Sequence, residues 1–229
     1  MKRRNFIFDI FSIGLMSSIS TRLKANNLNF SPMIRSISTW KTTEANYKAG
    51  SLLDNGTDAL NAAVIGVAVE EENPKNTTVG YGGAPDRSGN VTLDACVMNH
   101  LGDCGSVVAV ENIMNVARLA KDVMEKTPHV MLAGKGAEEF AISEGYKKID
   151  LLTETSKKDW EKWLENKEYK PIINIENHDT IGMLCLDKNN NMSGACTTSG
   201  LAYKMKGRIG DSPIILSLIH ISEPTRPMN

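Results

Sequence analysis

The sequence predicts an α+β fold, on three observations. Apolar residues recur at helical spacing over Thr57–Glu72 and again over Glu111–Glu125. Short apolar runs bounded by turn residues lie between and after these stripes. Late in the chain, two such runs flank an Asn cluster, the pattern of a β-hairpin. With 229 residues, 41 % of them hydrophobic and 23 % charged, the composition supports a packed core and argues against wholesale disorder. Lys and Arg number 26 against 27 Asp and Glu, so the basic excess of a nucleic-acid binder is missing. No apolar run approaches the roughly 18 residues that a membrane-spanning helix requires.

Residues 1–25 read as an export signal. Lys2, Arg3 and Arg4 precede an apolar, small-residue stretch from Phe6 to Ile19, and Arg3 to Ile7 resembles a twin-arginine signal. Asp9 interrupts the stretch, and a disordered or amphipathic arm is the alternative. The export reading places the mature protein in the periplasm or outside the cell, with no membrane contact once the signal is removed.

In Thr57–Glu72 the stripe is Leu60, Ala63, Val64, Val67 and Ala68, with Thr57 or Asp58 as N-cap and Asn73-Pro74 as terminator. Val79 to Pro85 is a glycine-rich loop. It lacks the Gly-Lys-Ser/Thr that phosphate binding requires, so a tight turn is the expectation. Val91–Met98 and Ser106–Val110 are predicted strands. Glu111–Glu125 is a predicted helix that buries Ile113, Met114, Val116, Ala117, Ala120 and Val123 and is closed by Pro128. His129–Ala133 is a short strand, Ala137–Glu144 a helix ended by Gly145, and Lys157–Asn166 a charged helix bearing Trp160 and Trp163. Lys167 to Asp179 is a polar linker.

Thr180–Asp187 and Met192–Ser199 are the hairpin strands, joined through Lys188 to Asn191. A turn centred at Asn189 or Asn190 makes facing positions sum to 378–380, which brings Thr198 opposite Thr180 within a residue or two. Facing Cβ atoms in such a pair lie about 4.5–5.5 Å apart, within reach of a hydroxyl–hydroxyl contact.

The four cysteines, Cys96, Cys104, Cys185 and Cys196, show no Cys-x-x-Cys spacing. Buried free thiols are the default, with disulfides an alternative in an exported protein. His100, His129, His178 and His220 are not spaced as helix-borne ligands, so neither a metal nor a cofactor is expected.

Three segments carry a resemblance: Asn174 to Met183 (Asn-Ile-Glu-Asn-His-Asp-Thr-Ile-Gly-Met), Gly194 to Gly200 (Gly-Ala-Cys-Thr-Thr-Ser-Gly) and Gly207 to Ile214 (Gly-Arg-Ile-Gly-Asp-Ser-Pro-Ile). They closely resemble the glycosylasparaginase (aspartylglucosaminidase) family of N-terminal-nucleophile hydrolases. Ser38 to Trp40, Val79 to Gly83, Val91 to Cys96 and Glu125 to Val130 match the same family, so the likeness runs from about Ile34 to Ile215. It implies a four-layer αββα sandwich and a precursor that cuts itself between Asp179 and Thr180. Residues 26–179 then belong to an α-subunit and 180–215 begin a β-subunit.

The implied activity is hydrolysis of the GlcNAc–asparagine amide of glycoasparagines, with release of aspartate and with self-association of processed α/β units. Thr180 is then the nucleophile and Thr198 its positioning partner. Arg208 clamps the substrate carboxylate, Asp211 pairs with its ammonium group, and Trp40 lines the site. An isoaspartyl peptidase or plant-type asparaginase, and a non-catalytic fragment, are the alternatives.

Leu216 to Pro227 resembles a translated sequencing adapter joined to a truncated frame, so residues 216–229 are expected to be non-native, with a genuine Pro-rich tail the alternative. On the adapter reading His220, Glu223 and Arg226 carry no function. The family's Thr-Gly oxyanion pair has no counterpart before residue 215, and this polypeptide by itself is expected to be inactive and poorly stable.

Overall fold

The computed structural model describes residues 33–166 and 180–215. The predicted export signal, the predicted linker with His178 and Asp179, and residues 216–229 lie outside them. The elements in chain order are β1 (Arg35–Ser38), α1 (Thr43–Asp54), α2 (Ala59–Glu71), β2 (Leu93–Met98), β3 (Cys104–Val110), α3 (Val116–Lys126), β4 (Met131–Ala133), α4 (Gly134–Ser143), α5 (Glu154–Asn166), β5 (Ile181–Leu186) and β6 (Met192–Thr198). Six strands form one mixed sheet in the order β1-β5-β6-β2-β3-β4, antiparallel except for the β3–β4 pair. Helices and a mixed sheet make this an α+β protein, as the sequence predicts.

Helix α2 is apolar nearly all round, as suits a helix buried on several sides. Asp58 caps it, accepting the Asn61 N–H at 3.0 Å. Small residues let it lie close to its neighbours. A Cβ on Gly66 would come within 2.5 Å of Met183 Sδ and 2.9 Å of Ala49 Cβ. Leu93, Ala95, Val97, Val107, Met183 and Ala195 of the strands join Val64, Val67, Leu119 and Val123 of α2 and α3 in one core.

The predicted helix from Glu111 begins five residues later, at Val116. Ala109 and Asn112 take left-handed φ of 51° and 62°, which carries Ile113 into the core on irregular backbone. The helix N-terminus is capped from a distance, because Glu71 Oε1 accepts the Ala117 N–H at 2.9 Å. Two elements escaped the sequence reading. β1 is four residues of mixed polarity on the sheet edge. α1 buries only Ala45, Ala49 and Leu53, too faint a stripe to register.

The hairpin follows its predicted arithmetic: Ile181 faces Thr197 and Leu186 faces Met192. Asp187 builds the turn, its Oδ1 accepting the N–H groups of Asn189 (2.8 Å) and Asn191 (3.1 Å). Between Leu93 and Ala95 the β2–β3 register shifts, a bulge whose freed Ala109 N–H is taken by Asp94 Oδ1 at 2.8 Å. Gly80, at φ 61°, shows why the glycine-rich loop is a tight turn. A Cβ there would lie 2.2 Å from the Glu71 carbonyl oxygen, at the end of α2.

Candidate active site

Strand alternation sends the apolar residues of β2, β5 and β6 toward the helices and their neighbours to the other face. On that second face Asp94 pairs with Thr198, and Thr180 stands just before β5 beside Thr198. Hydroxyl, hydroxyl and carboxylate thus occupy one row across three strands. All three are buried, at 4 % exposure for Thr180, 1 % for Thr198 and 0 % for Asp94.

Thr180 is held at both ends. Its hydroxyl donates to Thr198 Oγ1 at 3.1 Å and lies 3.3 Å from Ser212 Oγ. Its carbonyl oxygen accepts from Thr39 Oγ1 at 2.9 Å and from the Trp40 indole N–H at 3.0 Å. Thr39 Oγ1 also accepts the Gly182 N–H at 3.0 Å, so one side chain ties both ends of the Thr180–Gly182 backbone. Trp40 has φ of 60°, a left-handed conformation that is strained for a bulky residue. That conformation accompanies an indole whose N–H reaches Thr180 while the residue stays 67 % exposed.

Thr198 is fixed in turn. It accepts the Gly200 N–H at 2.9 Å and sits 3.4 Å from the Thr78 carbonyl oxygen. A cavity of about 340 Å³ opens beside Thr180, walled by Trp40, Lys41, Glu70, Lys75, Asn76 and Thr78 among others.

Arg208 and Asp211 lie on the segment after β6. The Arg208 guanidinium packs over two glycines: a Cβ on Gly200 would come within 3.1 Å of Nη1, and one on Gly210 within 2.9 Å. Lys204, 1 % exposed, donates to the Ser199 carbonyl at 2.8 Å and the Thr92 carbonyl at 3.2 Å. Burial lowers the Lys204 pKa and raises that of Asp94, outweighing in each case the attraction between them. Asp94 also draws on Arg208, so one buried carboxylate faces two cations behind the site. Helix α5 braces the same segment through stacked rings of Trp163 and Tyr203, centroids 4.8 Å apart.

The structure thus brings Thr180, Thr198 and Trp40 into direct contact and sets Arg208 and Asp211 on the segment that carries Ser212. Asp179 lies outside the described residues. Thr39, Thr78, Asp94, Lys204 and Ser212 are additional site residues that sequence reasoning missed. Thr39, Asp94 and Ser212 lie inside segments that the resemblance had already matched, which was the available signal.

The cysteines are free thiols, three of them buried. Cys185 faces Ser193, whereas Cys196 faces Cys96 of β2, so the two hairpin cysteines are not partners. Burial pushes the Cys185 thiol up to about 12. A hydrogen bond with Cys96 and burial hold Cys196 well above the usual range. Neither supplies a thiolate at neutral pH. Among the described residues no cluster of three or more His, Cys, Asp or Glu is arranged to hold a metal.

Residues 25–217 match the family model described as Asparaginase. The chain belongs to that family. The N(4)-(beta-N-acetylglucosaminyl)-L-asparaginase of Elizabethkingia miricola is 57 % identical over 180 residues, covering 78 % of this chain and 53 % of that protein. The rat and mouse proteins of the same name are each 34 % identical, covering 80 % of this chain and 62 % of their own length. The chain therefore spans between half and two thirds of these relatives.

Proposed function

We propose that the full-length protein is an amidohydrolase that cleaves its own backbone between Asp179 and Thr180 and then hydrolyses the GlcNAc–asparagine amide of glycoasparagines. One observation carries this reading: a buried threonine hydroxyl at a strand start is hydrogen-bonded to a second threonine, and its carbonyl is held by two donors. The relatives named for this activity, 57 % identical in one case, support the substrate assignment.

The chemistry follows from the residue type. The Thr180 hydroxyl attacks the Asp179 carbonyl carbon. The C–N bond breaks with a proton passing to nitrogen, and the acyl group is left on oxygen as an ester that water hydrolyses. The freed α-amine, with an ordinary pKa near 7.7–8.0, is a base at neutral pH, where a lysine is not. Amine and hydroxyl of one residue then form the nucleophile–base pair. The hydroxyl attacks the side-chain amide of the substrate, the glycosylamine leaves, and water releases aspartate from the ester.

Thr198 orients the nucleophile. Arg208 clamps the substrate α-carboxylate through the planar fork of its guanidinium, Asp211 pairs with the α-ammonium, and Trp40 borders the scissile bond.

The same proposal includes a second sheet layer, which completes an αββα sandwich. Its support is the sheet face away from the helices, where Ile37 (64 % exposed), Leu184, Gly194 and Met98 form one cross-strand row of apolar or small residues. The proposal also has the protein exported to the periplasm or beyond and working as associated α/β units. The arginine-led start of the sequence supports export.

Mass spectrometry of the full-length protein tests the central claim. Two fragments, the second beginning at Thr180, are expected, together with faster turnover of an N-glycosyl asparagine than of an isoaspartyl dipeptide. Thr180→Ala is expected to abolish both scission and turnover. An intact Thr180→Ala chain that still turns over substrate would assign the nucleophile elsewhere.

A further inference from the structure

The Gly210–Pro213 segment contributes Asp211 to the proposed site, and the residue after it touches the reacting atom. Ser212 is 2 % exposed, and its Oγ lies 3.3 Å from Thr180 Oγ1. Hydrogen-bond direction decides what it does. A hydroxyl carries one proton, and Thr180 gives its proton to Thr198. The contact between Thr180 and Ser212 therefore runs the other way, with Ser212 donating to the Thr180 oxygen. The Cys196 sulfur behind it is the other side-chain group within hydrogen-bonding reach of Ser212. The Pro213 carbonyl next to it is anchored to the sheet by Ser106 Oγ at 2.7 Å, which fixes the segment against β3.

We propose that Ser212 is a further catalytic residue, donating a hydrogen bond to Thr180 Oγ1 that stabilises the negative charge developing there as the hydroxyl loses its proton. The proposal rests on Thr180 being the nucleophile. Ser212 keeps its own proton throughout. The Thr180 proton goes to the base, the new bond forms between Thr180 Oγ1 and the acyl carbon, and the Ser212 O–H shortens toward an oxygen that is becoming an anion. Hydrogen bonds to charged groups are stronger than neutral ones, so the contact is worth more during attack than at rest. The same donor serves self-cleavage and turnover, because both begin with attack by the same oxygen.

The test compares Ser212→Ala, Ser212→Cys and Ser212→Thr in the full-length protein. It measures the rate of Asp179–Thr180 scission by mass spectrometry, and kcat and KM on an N-glycosyl asparagine. Ser212→Ala is expected to slow scission and to lower kcat by about 10–100-fold, with KM changed less than about 2-fold. Ser212→Thr, which restores a hydroxyl, should recover most of the loss, whereas Ser212→Cys, a weaker donor of similar shape, should not. If Ser212→Ala does not fold, the contrast between the Thr and Cys variants carries the same decision. Wild-type kcat in Ser212→Ala, or equal rates in the Cys and Thr variants, overturns the role of Ser212. Activity surviving in Thr180→Ala overturns the nucleophile assignment instead.

Discussion

The two faces of the sheet are built from the same strands and follow different rules. Toward the helices, β2, β5 and β6 present Leu93, Ala95, Val97, Ile181, Met183 and Ala195, an apolar set closed over by α1, α2 and α3. One residue further along each strand, the end of the other face nearest Thr180 presents Asp94, Cys96, Gly182, Cys196 and Thr198. That second set is also buried, yet it consists of hydrogen-bonding, charged and small side chains. The first face is where burial yields stability. The second spends some of that stability on keeping hydroxyls and charges in fixed positions away from water. The polar exceptions on the first face are Ser193 and Thr197, whose Oγ1 donates to Glu71 Oε1 at 2.7 Å.

Three substitutions sharpen this contrast. The largest loss of stability belongs to the helix side. Met183→Ala empties space between α2 and the sheet and is expected to cost about 2–5 kcal/mol in denaturant unfolding. Any loss of turnover should follow the unfolded fraction.

Next comes Glu71, which burial raises to about 7 despite the hydrogen bonds from Ala117 and Thr197 that favour its charge. Because the folded pKa lies above the unfolded value of 4.5, the native state binds the extra proton. Stability is therefore fully present below about pH 4.5 and falls as pH rises through 7, by on the order of 3 kcal/mol. Glu71→Gln keeps an oxygen for both donors and removes the charge. It should flatten that slope and leave the protein more stable than wild type at pH 8. An unchanged slope in chemical denaturation across pH 4–8 would assign the dependence to another group.

The smallest stability effect belongs to the second face. Thr198→Val leaves the Thr180 hydroxyl and the Gly200 N–H without their acceptor, a loss of about 1–2 kcal/mol. Its turnover should fall out of proportion, by at least about 10-fold, with KM little changed. Equal percentage losses of stability and turnover would erase the distinction between the faces.

Much of the helix side was legible in the sequence. Leu60, Val64 and Val67 gave α2 at helical spacing, and Asp58 supplied its cap. The hairpin register followed from an Asn cluster and counting alone, which placed Thr198 beside Thr180. Helix α3 was extended too far because Ile113 and Met114 continue its apolar pattern, whereas its real start is set by Glu71, 46 residues away. No local pattern carries that signal. α1 hid because alanine buries without announcing itself. The roles of Arg208, Asp211 and Trp40 came from resemblance alone. Lys204 was out of reach because a lone lysine reads as surface until its partners are in place, and Thr39 and Ser212, though inside matched segments, meet partners drawn from distant parts of the chain.

The turn after β5 has a consequence for the chemistry. Asp187 gathers the N–H groups of Asn189 and Asn191 and so fixes how many residues separate the two strands. Deleting one residue from this solvent-facing loop would slide β6 by one position and turn its whole set of side chains over, sending the Thr198 hydroxyl into the apolar layer. A stretch of asparagines with no reactive group of its own thereby sets the distance between two hydroxyls at the opposite end of the strands.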